Sequence, residues 1–136
     1  MFIGASLEGD DATPTCSGIV YMGRLEHSEI PQYLFAADCF CLPTLNEGCS
    51  NAIVEAVAAG LPIISSNLPF NDDILDESNS IVVDPMDVDE IANAIKKLRD
   101  NPDLRKKLSE GSFKKAAALR IDKRAEAVIK FIESKI

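Results

Sequence analysis

The sequence has 136 residues, of which 46% are hydrophobic and 26% are charged, and its formal net charge is −8. A chain of this length can form one domain with a real core, but it is small for a complete enzyme. No run of about 18 apolar residues predicts a membrane span, and the acidic charge argues against nucleic acid as a partner. We find no basic-plus-apolar leader sequence, so we expect a cytoplasmic protein.

Short apolar runs alternate with helical apolar patterns along the chain. The predicted strands cover residues 1–7, 18–23, 39–44, 61–66 and 80–85. The predicted helices cover residues 28–38, 51–59, 88–99, 102–118 and 122–135. Strands that alternate with helices over short connections predict a Rossmann-like, three-layer α/β fold with a parallel sheet. Such sheets bind ligands at the carboxyl ends of their strands.

Local residues support several of these boundaries. Pro31 fits a helix only in its first turn, and Gly60 is suited to end the helix that begins at residue 51. Asp87 and Asn101 precede the next two helices and are favourable helix caps. The segment "NDDIL", residues 71–75, predicts a loop or a single helical turn.

The four cysteines predict reduced thiols, because the chain shows no export signal. A zinc site built from Cys16, Cys39, Cys41 and His27 is conceivable. No cysteine pair has C-x-x-C spacing, however, and Cys39 and Cys41 lie in an apolar strand, where buried cysteine is common. We therefore expect neither a metal nor a cofactor.

Charge is distributed unevenly along the sequence. Residues 1–95 contain 16 acidic residues and a single basic residue, Arg24, whereas residues 96–136 contain 6 acidic and 13 basic residues. Lysine-rich solvated helices are one explanation. Alternatively, the basic tail covers the acidic body, or it makes weak contact with an anionic membrane in the intact enzyme.

The stretch "NEGCSNAIVEA" places two glutamates eight positions apart, at Glu47 and Glu55. On a helical wheel the following helix has a polar strip made only of Asn51 and Glu55, which predicts a helix buried almost all round. A buried carboxylate needs hydrogen-bond donors. Two structural alternatives stay open: Glu55 forms a buried ion pair with Arg24 or a tail lysine, and Glu47 is a solvated loop carboxylate.

The start of this helix also favours an anion. Its unpaired N–H groups and its dipole attract phosphate, and the small residues Gly48, Cys49 and Ser50 let a ligand approach the backbone. The carboxylates of Glu47 and Glu55 suit hydroxyl groups. A ligand that carries both phosphate and hydroxyl groups is a nucleotide sugar.

A resemblance rests on the stretch "AADCFCLPTLNEGCSNAIVEAVAAGLPIISS". The Pro-Thr after a strand, the E-x7-E motif, the Glu-Ala pair and "AGLP" resemble the donor-binding, C-terminal half of a GT-B retaining glycosyltransferase of family 4. The downstream "SIVVDP" and "DVDEIANAIKKLRDNPDLRKKLSEG" continue the resemblance, which covers nearly the whole chain. The resemblance implies a UDP-, GDP- or other nucleotide-sugar donor, retention of anomeric configuration, no metal and a role in cell-surface polysaccharide synthesis.

The resemblance also implies residue roles. Glu55 would hold the ribose hydroxyls, and the catalytic-site Glu47 would contact the transferred sugar. The backbone of Gly48, Cys49, Ser50 and Asn51 would face sugar and phosphate. Gly23 and Arg24 would lie beside the base.

This sequence departs from the family in one respect. The family places an Arg and a Lys that grip the pyrophosphate on an upstream segment, and nothing here precedes "MFIGAS", which is similar to the family's second strand. We expect the C-terminal piece of a longer enzyme or a truncated product, with residues 1–98 as a partial nucleotide-sugar-binding domain and residues 99–136 as a helical extension packed on it. The piece alone should be inactive without its N-terminal acceptor domain, and its exposed sheet edges should favour self-association.

Two alternatives come from other functional classes. A receiver-like signalling domain shares the α/β alternation and offers Asp10 and Asp11 after its first strand. That class also needs a lysine at a later strand end, and no lysine occurs before Lys96. The second alternative is a non-catalytic module that binds nucleotide or serves only in interactions.

Overall fold

The computed structural model describes residues 1–4, 17–46 and 50–135. Contacts divide the chain into two compact units, Met1–Tyr33 and Leu34–Ile136. The helices are α1 (Ile30–Ala36), α2 (Asn51–Ala58), α3 (Val88–Asp100), α4 (Pro102–Leu119) and α5 (Ile121–Glu133). The strands are β1 (Phe40–Leu42), β2 (Ile63–Ser66) and β3 (Ser80–Val83), with a 3-10 turn at Pro69–Asn71.

In the described residues of the first unit, 1–4 and 17–33, Phe2 and Tyr21 form a parallel bridge. Phe2 donates its N–H to the Val20 carbonyl at 2.8 Å, and its own carbonyl accepts from the Met22 N–H at 2.9 Å. The rings of Phe2 and Tyr21 stack with their centroids 5.1 Å apart. The two chain segments are thus held together by a few backbone bonds and one aromatic pair.

The predicted strands 1–7 and 18–23 are therefore wrong in extent within the described residues. Gly18 and Gly23 have φ values of 91° and 67°, which lie outside the extended conformation. A regular strand cannot continue through such residues, so the described residues show a bridge at Phe2 and Tyr21, with a further backbone bond from the Gly4 N–H to the Gly23 carbonyl at 2.9 Å.

The second unit contains a parallel three-stranded sheet in the order β1-β2-β3. Phe40 is opposite Ile63, and Ile63 is opposite Ser80. The central strand β2 is buried along its whole length. The predicted α/β architecture is confirmed, although each strand is two or three residues shorter than the apolar run that predicted it.

The core lies between the sheet and the helices that cover it. One cluster joins Ile64 and Val83 of the sheet to Leu98 of α3 and Leu108 of α4. From α2, Ile53 and Val57 are fully buried. No helix among the described residues is both long enough and apolar enough to cross a membrane.

The predicted helix boundaries are largely confirmed by their caps. Asp87 accepts a hydrogen bond from the Glu90 N–H at 2.9 Å, and Asn101 accepts one from the Leu104 N–H at 3.0 Å. Gly60 has the left-handed φ of 76° that ends α2. This geometry is why a glycine follows the helix.

α4 is fixed to the rest of the unit by small and polar residues. At Gly111 a Cβ atom would lie 1.9 Å from the Ser78 carbonyl oxygen. The fully buried Ser112 donates its hydroxyl to the Leu61 carbonyl at 2.6 Å. Lys115 forms a 2.7 Å ion pair with Asp76.

α5 differs, because none of its described side chains is buried. Val128, Ile129 and Ile132 recur at the three- and four-residue spacing of one helix face and form an apolar stripe, but these side chains face solvent. Ile121 is 82% exposed and Phe131 is 64% exposed. The predicted packing of residues 99–136 as one helical extension stays a prediction.

Candidate functional site

The β1–α2 connection lies at the carboxyl edge of the parallel sheet. β1 ends at Leu42, residues 43–46 form the segment called here the exit segment, and Ser50 starts the approach to α2. Because parallel strands end at the same edge, the carboxyl end of β2 lies beside the end of β1. This is the edge at which open α/β sheets bind ligands.

Ser50 is the N-cap of α2. Its side-chain oxygen accepts from the Ile53 N–H at 3.4 Å, and its carbonyl accepts from the Val54 N–H at 3.1 Å. Helix geometry leaves the preceding N–H groups, those of Asn51 and Ala52, without an intrahelical acceptor. The first turn of α2 therefore presents donors suited to an anion.

The structure brings Ser50, Asn51 and Glu55 together on the first two turns of α2. Ser50 is buried, Glu55 is half-buried and Asn51 is exposed. The prediction of a helix buried almost all round is wrong, because Ala52 and Ala58 are also exposed. Small alanine side chains expose little apolar surface, so an apolar sequence pattern does not require burial at these positions.

Three predicted site residues, Glu47, Gly48 and Cys49, lie outside the described residues. Their predicted roles stay predictions. The described chain resumes at Ser50, so the start of α2 is nevertheless defined.

Gly23 and Arg24 belong to the first unit. The Gly23 carbonyl accepts from the Gly4 N–H at 2.9 Å, and Arg24 is exposed. The predicted contact of these residues with a base stays a prediction.

Sequence reasoning missed a buried polar network at the carboxyl end of β2. Ser65 donates its hydroxyl to the Leu42 carbonyl at 2.8 Å, and Ser66 donates its hydroxyl to the Thr44 carbonyl. The side-chain amide of Asn71 donates to the Ser65 hydroxyl at 3.2 Å and to the Ser66 carbonyl at 2.8 Å. Two consecutive serines ending an apolar strand were the available signal.

A cavity of about 450 Å³ lies next to this network. Ser66 and Asn71 line one part of it, and Lys97 and Leu104 line another. No residue of α2 lines this cavity. The cavity is therefore separate from the first turn of α2.

The described residues offer no cluster of three His, Cys, Asp or Glu side chains that could hold a metal ion. Burial, together with the nearby Asp38 carboxylate, raises the pKa of the Cys39 thiol above its usual range. A protonated thiol is a poor metal ligand and a poor nucleophile. Cys39 therefore behaves as a small half-buried apolar residue of the sheet.

The family model for glycosyl transferases group 1 matches residues 17–115. The chain belongs to this family. An MMP alpha-(1->4)-mannosyltransferase from Mycolicibacterium hassiacum is 32% identical over 114 residues, which cover 82% of this chain and 26% of that protein. An Escherichia coli UDP-Gal:alpha-D-GlcNAc-diphosphoundecaprenol alpha-1,3-galactosyltransferase is 37% identical over 75 residues, which cover 54% of this chain and 19% of that protein. The chain thus spans only about a fifth to a quarter of these curated group 1 relatives.

The solved structure of Anabaena HepE in complex with UDP has the same fold over most of this chain. The TM-score is 0.70 at 20% sequence identity, and the match covers 84% of this chain and 32% of that one. The parallel sheet with flanking helices is the Rossmann-like arrangement of the GT-B glycosyltransferases. The predicted fold class and its relation to GT-B glycosyltransferases are confirmed.

Proposed function

We propose that this group 1 glycosyltransferase domain is the donor-binding half of a retaining, family 4 enzyme that uses a nucleotide sugar. One observation carries the proposal: a capped helix start, with a half-buried carboxylate at Glu55, follows a strand end at the carboxyl edge of a parallel sheet. The helix start supplies N–H donors for a diphosphate. A carboxylate supplies acceptors for hydroxyl groups.

The proposed residue roles are those that the family resemblance implies. Glu55 holds the ribose hydroxyls, and Glu47 acts at the transferred sugar. The backbone from Gly48 to Asn51 faces sugar and phosphate, and Gly23-Arg24 lies beside the base. UDP and GDP are both candidate nucleotides, and UDP is the better first probe because UDP is bound in the similar HepE structure.

We propose that the whole enzyme acts in cell-surface polysaccharide synthesis, in the cytoplasm or at the inner face of the membrane. The diphosphoundecaprenol in the name of the Escherichia coli relative supports an acceptor of that kind. No metal or cofactor is part of the proposal. Weak contact with anionic membranes and self-association through the sheet edges are further proposals, which sedimentation with vesicles and light scattering would test.

We further propose that the 136-residue chain does not transfer sugar by itself. A leaving diphosphate needs cations or amides as charge develops, and residues 1–95 supply Arg24 as their one basic side chain. An acceptor domain would also have to position the nucleophile. The same scarcity of cations favours a second candidate, a module that binds nucleotide without catalysis.

The test is a ligand-observed NMR titration of the chain with UDP, GDP and their sugars. We expect the chain alone to bind in the millimolar range or weaker. In the intact enzyme, we expect Glu55→Ala to weaken donor binding by about 1.5–3 kcal/mol, which is the scale of a hydrogen bond to a charged group. The matched control is Glu77→Ala, an exposed carboxylate on the loop before β3.

Two outcomes would contradict the proposal. Unchanged donor affinity in a folded Glu55→Ala variant of the intact enzyme would remove the ribose assignment. Turnover of a nucleotide sugar by the isolated chain would show that the site is complete, and it would exclude the non-catalytic candidate.

A further inference from the structure

Along β2, the buried residues change from apolar to polar. Ile63 and Ile64 are fully buried apolar residues, and the next two residues, Ser65 and Ser66, are equally buried but polar. Asn71, from the 3-10 turn that follows, is 3% exposed. Buried polar groups are costly unless they are hydrogen-bonded, so the partners of these three residues indicate what they do.

Both serine hydroxyls reach across to another part of the chain. Their acceptors are the carbonyls of Leu42 and Thr44, which lie 23 and 22 residues earlier in the sequence. Leu42 is the last residue of β1, and Thr44 belongs to the exit segment. The two bonds therefore fix the end of β1 and its continuation toward α2.

Asn71 contacts the side chain of Ser65 and the backbone of Ser66. Its amide donates to the Ser65 hydroxyl and to the Ser66 carbonyl. Because the Ser65 hydroxyl oxygen accepts the bond from Asn71, its own proton must point elsewhere. This favours the bond that it donates to the Leu42 carbonyl. Buried apolar residues could fill the same volume at similar stability, but they would not hold particular carbonyls in place.

We infer that Ser65, Ser66 and Asn71 are positioning residues for the donor site. They do not touch the ligand in this inference; they hold the exit segment at the sheet edge where the start of α2, at Ser50 and Asn51, would meet the donor. This inference rests on the proposed function, because it concerns the geometry of the same site.

The chain offers a matched control for Ser66. Ser112 is also a fully buried serine that donates its hydroxyl to a carbonyl, but its acceptor, Leu61, precedes β2 at the opposite edge of the sheet. Ser66→Ala and Ser112→Ala thus remove the same group at the same burial. If both serines had a purely structural role, the two substitutions should have similar effects on the exit segment and on UDP affinity.

The first measurement uses the ligand-free chain. We expect Ser66→Ala to move the backbone amide NMR resonances of Leu45, Asn46, Ser50 and Asn51, whereas Ser112→Ala leaves them in place. The second measurement is a UDP titration, in which we expect Ser66→Ala to weaken binding roughly fivefold to tenfold and Ser112→Ala to leave the affinity unchanged.

The outcomes separate this inference from the proposed function. Equal or absent resonance changes in the two variants would overturn the inference, whatever UDP does. Changed resonances with unaltered UDP affinity would overturn the link to the donor site. If the unsubstituted chain binds no nucleotide, the proposed function fails for this chain, and the ligand-free comparison still tests whether the network positions the exit segment.

Discussion

The two C-terminal helices, α4 with 18 residues and α5 with 13, both carry several basic residues, but they relate to the domain in opposite ways. α4 buries Leu108, Gly111 and Ser112, although its apolar residues do not form a clean stripe. α5 has a clean stripe and buries none of its described side chains. A buried leucine, a close backbone approach and polar hydrogen bonds, rather than a clean apolar stripe, thus distinguish the anchored helix α4 from α5.

The largest expected effect tests whether apolar burial stabilises the fold through α4 but not through α5. Leu108 is 2% exposed and belongs to the main core cluster, so Leu108→Ala should lower the free energy of unfolding by about 2–5 kcal/mol. Ile129, in the stripe of α5, is 54% exposed, and Ile129→Ala should change the free energy of unfolding by less than about 0.5 kcal/mol. Urea denaturation of both variants measures the difference. Equal losses would mean that α5 is packed in solution.

A smaller effect tests the close approach at Gly111. In an ordinary exposed helix, Gly→Ala stabilises by about 1 kcal/mol. Here the added methyl group would meet the backbone carbonyl of Ser78, so Gly111→Ala should instead destabilise by about 1–3 kcal/mol. Glu110→Ala, at the neighbouring exposed position, is the control and should be nearly neutral. A stabilised Gly111→Ala chain would disprove the close contact.

The smallest effect concerns the ion pair between α4 and the loop before β3. The hydrogen bond from Lys115, together with the Ser78 hydroxyl and N–H, lowers the pKa of Asp76 to about 2. Because the folded-state pKa lies below the unfolded value of about 4, the pair stabilises the fold above pH 4, and this contribution is lost as the pH falls toward 2. The side chains are partly exposed, so the contribution should stay below about 1 kcal/mol.

Urea unfolding at pH 5 and pH 3 checks this prediction. The free-energy difference between the parent chain and Asp76→Asn should shrink at the lower pH. Asp100→Asn is the control, because its partner Arg99 is its own neighbour and the pair joins no separate elements. If the free-energy difference between the parent chain and Asp76→Asn were the same at both pH values, titration of Asp76 would not contribute to the pH dependence of stability.

The sequence predicted the features that depend on local patterns. The alternation of strands and helices, the caps at Asp87 and Asn101, and the stop at Gly60 all follow from residues within a few positions of each element. The family resemblance likewise rested on a contiguous stretch, and its coarser part, membership of the group 1 glycosyl transferases, is confirmed. These signals are short-range, so they can be seen without tertiary structure.

The features that the sequence did not predict depend on distant partners. An apolar stripe indicates a face that can be buried, but it does not say whether a surface exists to cover it, as α5 shows. By sequence alone, Gly111 and Ser112 are residues of low helix propensity. Their role is visible only from their contacts with Ser78 and Leu61. Ser65 and Ser66 could be understood only once the ends of β1 and β2 were adjacent.

The bond between Ser112 and the Leu61 carbonyl also has a consequence for synthesis on the ribosome. The two residues are 51 positions apart, so β2 cannot receive this anchor until α4 has been translated. At about 5–20 residues per second, that interval lasts several seconds, during which the strands are made but not yet held in this way. By contrast, the hydroxyl bonds of Ser65 and Ser66 join segments already synthesised when β2 appears. The edge that carries the candidate site can therefore form before the opposite edge is locked.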